Sequence, residues 1–216
     1  MSSTLENTQL GDIITFGAYP QTSGGADRTP IVWHVLRNSG DALFLLSRYL
    51  LDCKRFHGEE VATQWRDCDL RGWLNGEFYE TAFSTEEKGR ILSTTCTGNG
   101  RGKADTRDKV FLLSVEEIVA FTDPGEGSDR AIRRRTFGTE FAKSRKLYVY
   151  DKGVEKDYVV EDGHKYGCSW WWTRSQLQEE HPERATFIGA RSNIKRYGKV
   201  ALAGLGVRPA LVLSLK

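Results

Sequence analysis

Strand-forming runs at both ends of the chain, with capped helical segments between them, predict an α+β fold built on antiparallel sheet. Two observations set the strands. Ile31–Leu36 and Ala42–Ser47 are β-rich runs separated by the turn residues Asn38-Ser39-Gly40-Asp41, the pattern of a hairpin. From Tyr148 onward, short apolar runs recur at close spacing with Gly between them. A third observation sets the helices. Ser84-Thr85-Glu86-Glu87 and Ser114-Val115-Glu116-Glu117 both read as capping boxes, in which a Ser oxygen accepts the third N–H while the Glu reaches back.

The elements follow in order. Residues 1–10 are polar and are expected to be a frayed tail, leaving 11–216 as one domain. Gly11 to Gly17 reads as a first strand, and Tyr19 to Pro30 as a polar loop before the hairpin. In Asp69 to Asn75, Leu70, Trp73 and Leu74 fall at i, i+3 and i+4 on one helical stripe. The apolar run Val110 to Leu113 leads into a helix that ends near Phe121 and is stopped by Asp123-Pro124-Gly125. Thr139 to Lys146 suits another short helix. The later strands are expected at Ser169–Thr173, Ala185–Ala190, Lys199–Ala203 and Val207–Leu213, the last pairing with an early strand and bringing the termini together. Strand alternation places Trp170 and Trp172 on one buried face and Trp171 on the other. Trp73 and Trp172 are expected to be core indoles.

Composition narrows the class. With 39% apolar and 28% charged residues among 216, the chain has the balance of a globular domain, not of a disordered one. The formal net charge is only +2, so no molecule-wide field draws nucleic acid. No apolar run reaches the ~18 residues of a membrane span, and no signal-like segment opens the chain. A cytoplasmic protein, or one carried in a phage particle, is expected. Cys53, Cys68, Cys96 and Cys168 are too few for a disulfide scaffold and are expected to be thiols. With His57 and His164 they are the possible metal ligands, but they are dispersed, with no C-x-x-C or H-x-x-x-H. No metal and no cofactor is expected. There is no G-x-S-x-G, P-loop, G-x-G-x-x-G or H-E-x-x-H, and no catalytic residue stands out.

Three features invite a binding role. Trp170-Trp171-Trp172-Thr173-Arg174-Ser175 reads as a core strand, or as an indole and guanidinium platform formed by Trp171 and Arg174. Arg208, before Pro209 in an apolar setting, calls for a buried carboxylate or carbonyl partners. Basic residues gather at 130–146 (Arg130, Arg133, Arg134, Arg135, Lys143, Arg145, Lys146) and at 184–199, and no acidic residue follows Arg184. Such stretches suit an anionic partner, or a solvated face balanced by acids elsewhere.

Several of these motifs, taken in order, resemble an uncharacterised bacterial and phage domain family. They are Gly11-Asp12-Ile13-Ile14-Thr15-Phe16-Gly17-Ala18-Tyr19-Pro20-Gln21, Pro30 to Leu36, Leu70-Arg71-Gly72-Trp73-Leu74-Asn75, Val110 to Ser114, Trp171 to Ser175 and Gly206 to Leu211. The resemblance implies a C-type-lectin-like fold: a small twisted antiparallel sheet with two flanking helices and paired termini. It extends to the variable proteins of diversity-generating retroelements and, distantly, to formylglycine-generating enzymes. The late cysteine pair of those enzymes is missing, as are the H-x-x-x-H-x-E of the ergothioneine type and the E-P-N, Q-P-D and W-N-D of calcium lectins. By resemblance to the variable proteins, the stretch 176–205 is a ligand-binding surface between two framework motifs. Its Ser, Asn, Arg and Tyr content suits adaptable contacts. The candidates there are Gln178, Arg184, Thr186, Ser192, Asn193, Arg196 and Tyr197.

Three functions stay open. The first is a non-catalytic module binding a protein or other macromolecule. The second is binding of nucleic acid or another anion through the basic stretches. The third is an enzyme with an unrecognised site near Cys168 or His164.

Overall fold

A computed structural model describes residues 5, 7–122 and 134–216. The stop at Asp123-Pro124-Gly125 and the basic residues Arg130 and Arg133 lie outside the described residues. The strands are β1 (Ile13–Tyr19), β2 (Thr29–Asn38), β3 (Ala42–Ser47), β4 (Asp52–Cys53), β5 (Thr94–Cys96), β6 (Thr106–Asp108), β7 (Val110–Phe111), β8 (Tyr158–Glu161), β9 (His164–Gly167), β10 (Trp171–Trp172), β11 (Arg184–Ile188), β12 (Ile194–Lys199), β13 (Gly206–Val207) and β14 (Ala210–Ser214). The helices are short: α1 (Asp69–Trp73), α2 (Tyr79–Ala82), α3 (Thr85–Arg90), α4 (Val115–Thr122) and α5 (Glu140–Ser144). The architecture is α+β and mainly antiparallel, as the order of elements predicts. One sheet runs β1-β2-β3-β14-β7 and the other β12-β11-β10-β13-β4, with β10 and β13 the parallel neighbours.

The two sheets are joined by a shared crossing. β3 leads into β4 and β13 leads into β14, and the partners are antiparallel in both sheets. Between them the ladder continues irregularly, Ser47 N–H donating to Pro209 O at 2.9 Å and Leu51 N–H to Val207 O at 3.0 Å. Pro209 falls where the ladder is interrupted, the position a residue without an N–H tolerates. Arg208 fills the break. Its Nε donates to Ser47 O at 2.9 Å and its Nη2 to Arg48 O at 3.4 Å, while its guanidinium lies 5.1 Å from the Trp171 ring centre. Carbonyl partners for Arg208 are therefore present, as the sequence requires.

Local sequence rules account for most elements. Both capping boxes form: Ser84 with Glu87, and Ser114 with Glu117, where Glu117 N–H donates to Ser114 Oγ at 3.1 Å and Ser114 N–H returns to Glu117 Oε2 at 2.8 Å. Thr139 caps α5 more simply, its Oγ1 accepting from Ala142 N–H at 3.1 Å with no reciprocal bond from Ala142. Gly17 makes an irregularity in β1 at φ +69°, where a Cβ would stand 2.5 Å from the Phe83 ring. Its N–H donates to Glu87 Oε1 at 3.0 Å, so only Gly lets the strand lie on the Phe83 turn. Asn75 ties the helical segment to β7: its Nδ2 donates to Val110 O and its Oδ1 accepts from Lys109 N–H.

Several expectations are corrected. The last strand does reach an early one, but that strand is β3; β1 lies two places further, so the termini are not paired. The described residues hold more than two helical segments: Asp69–Ala82 is continuous, α1 and α2 being joined through a π-helical turn at Leu74–Phe78, and α3, α4 and α5 are separate short helices. The strand expected at Lys199–Ala203 is Ile194–Lys199 instead. Gly198 pairs with Ala185, and a Cβ there would stand 2.8 Å from Phe187 and 2.9 Å from Trp172, so the strand closes over those rings. The chain then turns back, with Leu202 N–H on Lys199 O. Part of the expected tail is docked: Thr8 is buried and its carbonyl accepts from Asn38 Nδ2 at 2.6 Å. Trp73 is only half-buried, its ring under Lys54 Nζ at 4.4 Å. Tyr19 and Phe78 cover the rest of the Trp73 ring.

Candidate functional site

Strand alternation in the Trp run holds, but both faces of β10 are covered. Trp172 meets Phe56 and Phe187 on one side, and Trp171 lies against Arg208 on the other, its Nε1 donating to Arg134 O at 2.9 Å. Trp170, one step before the strand, shares the Trp172 face at the sheet's margin and stays half-buried, 5.6 Å from Phe187. Here a groove of about 380 Å³ opens. Trp170, Phe187, Tyr197 and Tyr150 wall it, with Arg191, Asn193 and Lys195 along it.

Each wall has a structural cause. β11 and β12 are antiparallel with Phe187 opposite Lys195, and Tyr197 stands edge-on to Phe187 at 5.9 Å. A tight turn joins the strands: Ser192 N–H donates to Gly189 O and Gly189 N–H to Asn193 O, with Ser192 at φ +73°. Beside it, Arg191 stacks over Tyr150 at 5.0 Å and binds Asp157 Oδ1 through Nε at 2.6 Å. That bond holds Asp157 below the usual carboxylate range and Arg191 above its own. Lys195 Nζ lies 5.7 Å from the Tyr197 ring centre, and Tyr197 remains 54% exposed. Among the described residues β12 is the edge strand of its sheet, paired with β11 on one side only, so the groove opens beside a free strand edge.

The candidates divide into three sets. Asn193 and Tyr197 line the groove, Ser192 is in its turn, and Arg196 is exposed on the next position of β12. Arg184 and Gln178 meet elsewhere, at the far end of β11, with Nη1 to Oε1 at 3.4 Å. Trp171, Arg174 and Thr186 are buried and offer no surface, so as ligand contacts they are corrected. Thr173 N–H and Oγ1 both donate to Thr186 O, and Arg174 is enclosed by carbonyls and Glu117. The indole of the Trp run that reaches the surface is Trp170, not Trp171. Tyr150 and Phe187 escape the sequence reading as site residues, while that reading places Trp170 in the core and Arg191 and Lys195 only within the basic stretch 184–199. For Phe187, Lys195 and Tyr197 a signal existed: they stand at alternating or paired positions around a short turn.

The basic stretches are largely balanced from elsewhere. Arg184 pairs with Glu183, Arg191 with Asp157, Lys199 with Glu60, Lys143 with Glu140 and Arg145 with Asp52. The four cysteines are buried, and burial pushes the Cys53 thiol up to about 11 and those of Cys68 and Cys96 to about 12. His164 is exposed at the tip of the β8–β9 hairpin and Cys168 is buried at its base, roughly 13 Å along the strand. The two are not brought together.

A second concavity carries a pH signature. His34 on β2 faces a cleft lined by Arg48, Arg135, Arg208, Tyr49 and Glu161. Burial, then the charges of Arg208 and Arg48, push His34 down to about 3. Between about pH 6.5 and 3 the unfolded chain binds a proton that the folded chain refuses, so stability falls as pH falls through that window. Urea midpoints measured from pH 7 to pH 4 should drop, and the drop should be shallower in His34→Gln. An equal slope in both proteins would exclude His34 as its source.

Among the described residues, no helix is long and apolar enough to cross a membrane. The fold and groove define a mainly antiparallel α+β domain with an aromatic concavity at a sheet margin. Residues 40–215 match the profile of a family described as a domain of unknown function (DUF6273), and the chain belongs to that family. No curated protein and no solved structure matches the chain.

Proposed function

We propose that this chain is a non-catalytic binding module with a C-type-lectin-like fold, and that the aromatic groove receives a side chain from a protein partner. The observation that carries this reading is the coincidence of groove and sequence: most of its walls come from 187–202, between the framework motifs Trp171–Ser175 and Gly206–Leu211. Those two motifs are anchored by the buried Arg174 and Arg208. A rigid frame under an exposed Tyr, Asn, Lys and Arg surface is the arrangement that lets binding residues change without loss of the fold. A concavity of this size accepts one large apolar side chain, and aromatic walls with an adjacent Arg are typical of interface anchors. The resemblance to diversity-generating retroelement proteins deepens the reading: 176–205 would be the diversified segment.

The nucleic-acid alternative has less support, because Arg184, Arg191 and Lys199 already hold carboxylates. Selection from a displayed random-peptide library tests the proposal. Enriched peptides should carry an aromatic or large aliphatic anchor, bind with little salt dependence, and weaken at least tenfold on Tyr197→Ala or Lys195→Ala. Failure to enrich, or peptides indifferent to both substitutions, would overturn it. A steep salt slope with single-stranded DNA would favour the anionic alternative. In the gene, a near-copy of the codons for Gln176 to Lys216 beside a reverse transcriptase, differing mainly at adenines, would establish the retroelement link.

A further inference from the structure

The cleft that holds His34 shares no lining residue with the aromatic groove. It has a volume of about 220 Å³. Its walls come from β2 (His34), the end of β3 (Arg48, Tyr49), the segment Arg135-Thr136-Phe137, β8 (Val159 to Glu161) and Arg208. We propose that this cleft binds a small oxyanion, the carboxylate or phosphate group of a metabolite-sized ligand.

Charge and donor geometry carry the inference. Three guanidinium groups line the cleft, and Glu161 is the one carboxylate among the described lining residues. Glu161 is already engaged on both oxygens: Oε2 accepts from Arg48 Nη2 at 2.9 Å and Oε1 accepts from the Tyr49 hydroxyl. Arg135 spends only Nη1, on Lys156 O at 3.1 Å and Tyr158 O at 3.4 Å. Its Nε and Nη2 have no partner among the described residues, and that edge of a guanidinium is a fork matched to two oxygens of an anion. Arg208 donates to the carbonyls of Ser47 and Arg48 and adds a third guanidinium to the lining. Neither ring nitrogen of His34 has a hydrogen-bond partner among the described residues. The imidazole is neutral, and a neutral imidazole still offers one N–H to an anion. A confined cleft with an excess of positive charge concentrates the field on whatever enters it.

The test is calorimetric titration of the full chain with inorganic phosphate and with succinate, at constant ionic strength set by chloride. The His34 ring signals are followed by NMR in parallel. One of the two anions should bind saturably at a single site and shift the His34 signals, and the tighter of the two identifies the headgroup. Arg135→Gln should weaken that binding at least tenfold while keeping the thermal midpoint within a few degrees, and His34→Gln should weaken it too. Lys195→Ala, in the groove, should leave it unchanged. No saturable binding by either anion, equal displacement by chloride, or unaltered affinity in both folded cleft variants would overturn the proposal.

Discussion

Trp172→Ala is expected to cost about 3–5 kcal/mol, enough to leave the domain only marginally folded. The side chain is fully buried in the middle of the second sheet. Its ring packs edge-on against Phe56 at 5.7 Å and Phe187 at 6.0 Å. Its Nε1 donates to Lys54 O at 2.9 Å, so the truncation both opens a cavity and strands a carbonyl. The effect should spread to the groove, because Phe187 is shared between the Trp172 contact and the groove wall. Urea denaturation should show a large fall in midpoint. Trp73→Ala, at a half-buried site, should lose clearly less, and equal losses at the two positions would contradict the burial difference.

Arg174→Ala should be comparably severe, at about 3–5 kcal/mol, because it leaves a charge and several carbonyls without their donor. The guanidinium is 1% exposed. It binds Glu117 through two nitrogens, Nη1 to Oε2 at 2.5 Å and Nη2 to Oε1 at 2.9 Å. The same group donates to Thr97 O, Leu112 O and Asn99 Oδ1. Glu117 is also the reciprocal half of the Ser114 capping box. Loss of Arg174 therefore loosens the start of α4 as well as the 97–99 turn. Arg174→Lys should recover little, since a single ammonium cannot reproduce a planar fork that serves five acceptor atoms. Urea midpoints for both variants check this. A loss below ~1 kcal/mol in Arg174→Ala would mean the network is not cooperative.

The residues that proved most legible were those governed by near neighbours. The β2–β3 hairpin, both capping boxes and the α5 start each depend on contacts within a few positions, so residue type and spacing suffice. Arg208 was legible too, because a cation beside Pro in an apolar run has few ways to be satisfied. The candidate site was half legible. Asn193 and Tyr197 lie on an exposed hairpin, and their polar, Gly-flanked context says so. Trp171, Arg174 and Thr186 misled because their residue types suit a binding surface, while their burial is set by other segments: Arg134 and Arg208 at Trp171, Leu112 and Glu117 at Arg174, and Thr173, next after the neighbouring strand β10, at Thr186.

The sequence by itself determined the α+β class, the antiparallel habit and the helix starts, since all of these follow from local propensity, capping and alternation. Tertiary structure alone decided that β3–β4 and β13–β14 cross together between two sheets, and that Asp157 and Glu60 pair with Arg191 and Lys199 of the C-terminal basic run. It also decided that Trp170, Tyr150, Phe187 and Tyr197 meet in one groove, and that Arg48, Arg135 and Arg208 meet in one cleft. The physical reason is the same in each case. These are pairings between distant segments, fixed by which faces the sheets bury, and no periodicity within one segment records them.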